Sequence, residues 1–454
     1  MRYRSPWSSS TALMLALFGC GPQLPDATLD DLRQPTGVAM APGGEHLFVT
    51  NGNWDQRQAG GAVVVMDLAA LDLALTANDG SAERTPICAP DDELGTLVCN
   101  ASRMIVPGAG VRLGSGAGNL VVDRPSGGES LARVLTIQRI EPAIVWFEVR
   151  MDDGVPRLDC GADPDGGCDE VHTITAALER PELLLPGNPS RIALDAQGYR
   201  YAYVPHLLGG ALSLVALDGE FGPELVDVTT EFYRVDPFDG TDFAGGFGVA
   251  SRPCDVTAAP TGSRDCTRPY LYASQRFFPS LRRFSVALGL DVVLPGDESV
   301  VPALNPEVVE SVPFMGDLTF EDPERDDRLL VVQTTPGGLA RVDTSVSDDG
   351  DPFDDIVAVV PLCEQPNMLA VHRPELGQAL ALVTCFGEGQ LAVVGLDTFA
   401  VIALVQLGDG ANEIAIDAAR QRAFVANTRD DSISVVGLDS TSTGYLRELA
   451  RLRR

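Results

Sequence analysis

Acidic, amide and cationic side chains recur at one position of a repeated pattern in this 454-residue chain. Each directly precedes an apolar residue that begins a short apolar run. Carboxylate and amide oxygens are hard ligands that suit Ca²⁺ or Mg²⁺, and a carboxylate shielded from water can act as a general base. If the apolar runs gather around one axis, these side chains surround it. The residues are Asn119, Arg191, Asp255, Asp317 and Glu413.

Two interpretations of this set stay open. In one, Asp255, Asp317 and Glu413 hold a divalent cation or catalyse a reaction, with Asn119 beside them and Arg191 as an anion clamp. In the other, the set is a polar ring with a structural role. The sequence favours the second interpretation, so no cofactor is expected with certainty and Ca²⁺ or Mg²⁺ remains a candidate.

The elements that position these residues are short apolar runs separated by turns. A run, a Pro/Gly or polar turn and two further runs occur in 35–67, 189–218 and 413–439, and weaker copies begin at Asn119, Cys254, Asp317 and Asn367. The alternation of the runs is typical of half-buried antiparallel strands. Seven such units predict an all-β fold, a seven-bladed β-propeller of four-stranded antiparallel blades spanning residues 35–454.

Some parts of this assignment have alternatives. A solenoid would also accommodate repeats, although the long irregular insertions disfavour it. The innermost strand of the fourth unit is assigned to Cys254–Thr257, which is why Asp255 enters the ring. The segment Gly444–Ala450 suits either an outer strand or a helix.

A second set of residues follows the second strand of each unit and therefore lies on the same rim as the channel mouth. Aromatic and cationic groups converge there on an otherwise acidic chain, a combination typical of recognition surfaces. Phe277 and Phe278 have an alternative role, covering the edge of a blade. The rim residues are Trp54, Arg57, Arg139, His206, Arg276, Phe277, Phe278 and Arg429.

The first twenty residues have the features of an export signal. Arg2 and Arg4 precede the apolar run 11–18, which is too short to span a bilayer, and the run leads to Leu17-Phe-Gly-Cys20. This tetrad resembles the lipobox of bacterial lipoproteins. The resemblance implies a signal peptide over 1–19, a lipid on Cys20 that anchors the chain to the outer membrane, and a flexible tether over 20–34. The alternative is an ordinary signal peptide; both imply export.

Export changes the interpretation of the other cysteines. An even number of cysteines in an exported chain favours disulfides, and pairing of nearest neighbours is the preferred arrangement among those that the sequence allows. A zinc site is disfavoured because the usual C-x-x-C spacing is missing. The expected pairs are Cys88 with Cys99, Cys160 with Cys168, Cys254 with Cys266, and Cys363 with Cys385.

A family resemblance rests on the repeats. Leu47-Phe-Val-Thr-Asn51 and Ala423-Phe-Val-Ala-Asn427, each between a preceding apolar strand and a strand ending in Asp, resemble the YVTN-type repeat of bacterial seven-bladed propellers. The resemblance spans about 35–439. It implies a propeller fold and export more than a particular reaction, since fold does not dictate function.

Charge excludes one class of partner. With 33 Lys and Arg against 64 Asp and Glu, the formal net charge is −31, so a nucleic acid would be repelled. The favoured function is a non-enzymatic binding or scaffold module of the cell envelope, held at the membrane by its lipid and facing a protein or glycan partner. The alternative is a metal-dependent, lactonase-like hydrolase with its site at the channel.

Overall fold

The computed structural model describes the greater part of the chain. The described residues are 24–77, 87–125, 132–161, 167–208, 210–229, 245–253, 270–276, 281–286, 314–345 and 353–454.

The described strands form seven antiparallel sheets that follow one another along the chain, as predicted for a seven-bladed β-propeller. Each sheet is assembled mainly from consecutive strands, and in the central blades its first strand lies innermost. Consecutive first strands contact each other, and the first strand of the first blade contacts that of the last blade, so the blades close a ring. This radial arrangement leaves only short sheet edges open to solvent.

The N-terminal third contains two blades and one insertion. The first blade has the strand order β1-β2-β3-β6, and the second has β10-β9-β8-β7 with β11 beside β9. The elements are β1 (Pro35–Met40), β2 (His46–Asn51), β3 (Gly61–Asp67), α1 (Ala69–Ala77), β4 (Cys88–Asp91), β5 (Thr96–Asn100), a 3₁₀ turn (Ala101–Arg103), β6 (Val111–Leu113), β7 (Ala117–Asp123), β8 (Arg133–Gln138), β9 (Ala143–Asp152), β10 (Val155–Asp159) and β11 (Thr173–Ile174).

The remaining blades follow in chain order. Their strands are β12 (Ala193–Leu194), β13 (Tyr201–Pro205), β14 (Leu212–Gly219) and β15 (Gly222–Thr229); β16 (Gly246–Ser251), β17 (Tyr270–Gln275) and β18 (Leu281–Ser285); β19 (Phe314–Asp322), β20 (Arg325–Thr335), β21 (Gly338–Asp343) and β22 (Asp355–Pro361); β23 (Pro366–His372), β24 (Leu380–Cys385), β25 (Gln390–Gly395) and β26 (Ala400–Gln406); and β27 (Ala411–Asp417), β28 (Arg422–Asn427), β29 (Ser432–Gly437) and β30 (Glu448–Arg453).

The core lies between neighbouring blades. Phe48 of the first blade and Phe147 of the second are fully buried in one apolar cluster, and Tyr203 of the third blade shares another with Leu271 of the fourth. Second and third strands are apolar on both faces because each face packs on an adjacent sheet. No single blade has a core of its own, so the seven sheets depend on each other for burial.

The fourth blade departs from the sequence assignment. Its innermost strand is β16 (Gly246–Ser251), which pairs with β17, and not Cys254–Thr257. Strand β16 takes the place that the sequence assignment gave to Cys254–Thr257, and Asp255 itself lies outside the described residues. The glycines of Gly245-Gly-Phe-Gly248 give this strand a weak sequence signal, since glycine is depleted in strands.

An insertion in the first blade covers the outer edge of the last blade. Strand β5 pairs in parallel with β30, and β4 pairs with β5, so the seventh sheet has six strands. The Cys88–Cys99 disulfide joins β4 to β5. We call the segment 69–100 the clasp. The structure also decides between the two assignments of the C-terminal segment: β30 (Glu448–Arg453) is a strand and not a helix.

Residues 24–34 lie against the propeller. Leu32 is buried in the core between the first and last blades, and Ala27 is buried beside Arg112, whose Nε donates to its carbonyl at 3.3 Å. The main-chain nitrogen of Gln34 donates to Asp431 at 2.6 Å. Within its described part, the segment expected to be a free tether is thus bound to the fold. Cys20 lies outside the described residues.

Three of the four expected disulfides are present: Cys88–Cys99, Cys160–Cys168 and Cys363–Cys385. Cys254 and Cys266 lie outside the described residues. Nearest-neighbour pairing is confirmed for these three, and the three bonds indicate an oxidising compartment outside the cytosol. Across the described part of the chain, no helix combines the length and apolarity needed to cross a bilayer.

Candidate functional site at the channel mouth

One position on each innermost strand, or just before it in the third blade, lies around the channel. In five blades it directly precedes the residue at which strand pairing resumes after a bulge: Leu120, Val249, Leu318, Leu369 and Ile414. Bulges re-aim side chains, which here directs them towards the axis. The seven residues, called the channel ring below, are Gly37, Asn119, Arg191, Gly248, Asp317, Met368 and Glu413.

Arg191 lies at the centre of the channel ring. Its guanidinium forms two hydrogen bonds with Glu413, Nη1 to Oε2 at 2.8 Å and Nη2 to Oε1 at 2.9 Å. Nη2 also lies 2.9 Å from Oδ2 of Asp317, and Nη1 lies 3.1 Å from the sulfur of Met368. One arginine from the third blade therefore links the fifth, sixth and seventh blades across the channel.

Burial and the shared charge set the protonation of this cluster. Burial raises the pKa of Asp317 to about 6, with the carboxylate of Glu413 adding to the rise and Arg191 opposing it. Burial alone would lower the pKa of Arg191, but Asp317 and Glu413 raise it above its ordinary value. Arg191 thus stays charged while two carboxylates share it.

The rest of the ring is tightly packed. Asn119 exchanges two hydrogen bonds with the main chain of Ile192 in the next blade, at 3.0 and 3.1 Å. A Cβ atom at Gly37 would come within 2.4 Å of the carbonyl oxygen of Gly118, and one at Gly248 within 2.9 Å of that of Gly316. The two glycines therefore allow neighbouring innermost strands to approach each other closely.

The channel contains two cavities. The mouth cavity, about 750 Å³, opens among the loops that follow the second strands. The opposite cavity, about 610 Å³, is bordered mostly by apolar residues of the innermost strands. Asn119, Arg191 and Glu413 line both cavities, so the cluster around Arg191 separates them.

Besides Arg191, three arginines line the mouth cavity, and each packs against an aromatic ring. The Cζ atom lies 5.1 Å from the Trp54 ring for Arg139, 4.0 Å from the Phe247 ring for Arg276, and 4.5 Å from the Phe386 ring for Arg429. Each distance is within the range of a cation–π interaction. Each ring packs against its guanidinium group and limits the positions that the arginine can adopt.

Two of these arginines each have a single side-chain hydrogen-bond partner among the described residues. Nε of Arg139 donates to the side chain of Asn188 at 2.8 Å, and Nη1 of Arg276 donates to that of Asn367 at 3.0 Å. Burial lowers the pKa of both to about 10, and the charge of Arg139 contributes to the lowering at Arg276. The two cations therefore lie close enough to repel each other.

Only some of the predicted rim residues line the mouth cavity. Trp54, Arg139, Arg276 and Arg429 line the mouth cavity. Arg57 does not; its side chain is 73% exposed and pairs with Asp55 at 3.2 Å.

His206 is not a rim residue either. It is fully buried, its Nε2 lies 2.8 Å from Oγ of Ser213, and burial lowers its pKa to about 4. Phe277 and Phe278 lie outside the described residues. Phe247 and Phe386 were missed; Phe386 directly follows Cys385 at the end of a second strand, which is the signal that could have found it.

The predicted cation ligands have other partners. Asp317 and Glu413 both pair with Arg191, and the channel ring has Gly248 where the sequence assignment placed Asp255. Within the described ranges, no group of three or more His, Cys, Asp or Glu residues is spaced to hold a metal ion. Asp317 Oδ1 is buried without a hydrogen-bond partner in the described structure.

Comparisons with known proteins define a fold class. The chain is similar to hydrazine synthase of Kuenenia stuttgartiensis, with 13% identity, a TM-score of 0.51, and 90% of this chain and 97% of that chain covered. It is also similar to a putative 6-phosphogluconolactonase of Bacteroides uniformis, with 14% identity, a TM-score of 0.52, and coverage of 89% and 95%. Identities this low show the fold alone.

The protein is thus an all-β, seven-bladed propeller, and two of its cavities lie along the central channel. No protein-family model matches the sequence, and no curated protein matches it either.

Proposed function

We propose that this chain is an exported binding module that recognises its ligand in the mouth cavity. One observation carries the proposal: rim residues from four blades converge on a single cavity of about 750 Å³, where aromatic rings hold three arginines in place. Cavities of this size and mixed lining are typical of small-molecule and cofactor sites.

The state of the carboxylate that lines the cavity favours binding over catalysis. Glu413 is the one carboxylate among the described lining residues, and both of its oxygens are hydrogen-bonded to Arg191. A general base needs an oxygen within reach of the proton that it takes. Oγ of Ser190, the lining serine, lies 2.8 Å from the carbonyl oxygens of Pro205 and of Gly246, one of which accepts its proton.

The proposal includes a lipid anchor that holds the exported chain at the outer membrane. Export agrees with the disulfides, and the lipobox-like tetrad ending in Cys20 provides for a lipid anchor in the outer membrane of the cell envelope. The YVTN-like repeats support a place among exported bacterial propellers. Metabolic labelling with an alkyne fatty acid tests the anchor: wild type should take up label and sediment with membranes, and Cys20→Ala should do neither. Label on Cys20→Ala would contradict the anchor.

Trp54 allows a direct test of binding. Its ring is 36% exposed on the cavity wall, whereas Trp146 is buried. Tryptophan fluorescence of the full-length protein should change when a small-molecule panel contains a ligand, and Trp54→Phe should abolish the change while a second method still detects binding. Turnover of a lactone panel that depends on added Ca²⁺ or Mg²⁺, and that Glu413→Gln removes, would replace the binding proposal with the hydrolase alternative.

A further inference from the structure

Two arginines of the mouth cavity, Arg139 and Arg276, differ from the buried arginines of this chain. Arg252, Arg422 and Arg451 are each paired with a carboxylate, at 2.7, 3.0 and 2.8 Å. Arg139 and Arg276 have no carboxylate partner among the described residues; each donates to one amide side chain. In a chain with nearly twice as many acidic as basic residues, two such arginines in one cavity need an explanation.

The donor inventory points to a missing acceptor. A guanidinium has five N–H donors, and one is used in each of these two side chains, by Asn188 and by Asn367. Both side chains are partly exposed and line the mouth cavity, so their remaining donors are open to a ligand. An anion between the two guanidinium groups would accept charge-assisted hydrogen bonds from these donors and offset the repulsion between the two cations.

The positions of the two arginines are also fixed in advance. Arg139 packs on Trp54 and Arg276 on Phe247, so few rotamers are lost when a ligand binds. Arginine forks match the geometry of carboxylates and phosphates, which they bind through two parallel hydrogen bonds. A neutral ligand would leave the repulsion between the two cations in place.

We infer that Arg139 and Arg276 form the binding site for an organic oxyanion, a carboxylate or phosphate attached to a polar body. This inference rests on the proposed function and specifies its ligand. Arg429, which lies at the exposed side of the cavity with its nearest carboxylate 3.7 Å away on Asp409, faces a second acidic group or the polar body. Hydroxyl and amide side chains for the body are provided by Thr334, Thr335, Gln365, Asn412 and Thr428.

The test is calorimetric titration of the full-length protein with citrate, inorganic phosphate and glucose. Citrate or phosphate should bind with one-to-one stoichiometry, and the affinity should fall roughly 10- to 100-fold in Arg139→Met and in Arg276→Met, as expected for losing hydrogen bonds to a charged group. Arg57→Met is the matched control: it removes an exposed arginine from the same face and should change nothing. Arg276→Lys keeps the charge but not the fork, and should bind with intermediate affinity.

The outcomes separate the inference from the proposed function. Anion binding that is unchanged in both methionine variants, or absent in wild type, overturns the inference. If glucose changes Trp54 fluorescence while neither anion binds, the mouth is a binding site for neutral ligands, so the proposed function stands and the inference falls. Thermal unfolding of each variant shows whether it folds, and Arg276→Lys remains informative if Arg276→Met does not.

Discussion

Arg191 and Glu413 meet across the central channel, where two hydrogen bonds of 2.8 and 2.9 Å join the third blade to the seventh. The same guanidinium holds Asp317 of the fifth blade at 2.9 Å. These contacts are made between blades that are not neighbours. The channel is thus held together by charge at its centre and by apolar packing between blades.

Removing the central cation should be costly. Arg191→Met leaves Asp317 and Glu413 buried without a counter-charge, and loss of one partner of a buried ion pair destabilises a protein by about 3–5 kcal/mol. We expect that loss in the free energy of unfolding, measured with urea at neutral pH. Arg57→Met, at an exposed position, should change it by less than about 0.5 kcal/mol. A variant as stable as wild type would show that the bridge is dispensable.

Asp317 should make the protein more stable as the pH falls. Its pKa is about 6 in the folded protein against an ordinary value of 3.8, so folded chains hold a proton that unfolded chains release. The contribution of Asp317 to stability is therefore fully present below pH 3.8 and is lost as the pH rises towards 6. Asp317→Asn has no such proton. The difference in unfolding free energy between wild type and this variant should change between these two pH values and be constant above them.

His206 should act in the opposite direction. Burial lowers its pKa to about 4 from 6.5, so the unfolded chain binds a proton that the folded chain excludes. Its contribution is present above pH 6.5 and is lost as the pH falls to about 4. In wild type the two effects partly cancel. His206→Gln should therefore show a stronger gain in stability on acidification than wild type, and an unchanged pH profile would contradict the burial of the neutral imidazole.

The glycines of the channel ring should not tolerate a side chain. A Cβ at Gly37 would lie 2.4 Å from a main-chain oxygen, which cannot move without shifting the innermost strand of the second blade. Overpacking of this kind costs about 1–3 kcal/mol, so Gly37→Ala should lower the unfolding free energy by that amount. Gly187→Ala is the control, because a Cβ there meets nothing within 4 Å. Equal stability of the two variants would show that the strands can separate.

Much of the fold was predictable, because the unit of apolar runs and turns repeats seven times. The second and third strands carried the signal: Leu47–Asn51 and Ala423–Asn427 lie within β2 and β28. The fourth blade was misassigned at its first strand, where glycines replace the β-branched residues that mark strands elsewhere. Because of this strand, the sequence assignment expected three carboxylates around the channel, whereas the channel ring has two, Asp317 and Glu413.

The site was predictable only in part, since alignment of repeats gives positions but not contacts. It placed Arg191, Asp317 and Glu413 around one axis, and the structure brings them together. It could not show that the arginine would lie between the carboxylates. His206, predicted to lie on the rim, follows its strand as Arg139 and Arg276 do, yet its side chain is buried in the core. No spacing rule distinguishes these two directions.

The clasp has a consequence for the order of events during export. Strand β5 needs β30, which lies some 350 residues further along the chain, and β1 must meet β27 before the ring is complete. A chain that crosses a membrane from its N-terminus delivers these partners last. The sheet edges of the early blades therefore stay unpaired until the C-terminal strands have crossed the membrane. Unpaired edges of this kind can pair with strands of other molecules. The seventh sheet, finished by a segment delivered early, becomes the step that commits the whole molecule to its closed form.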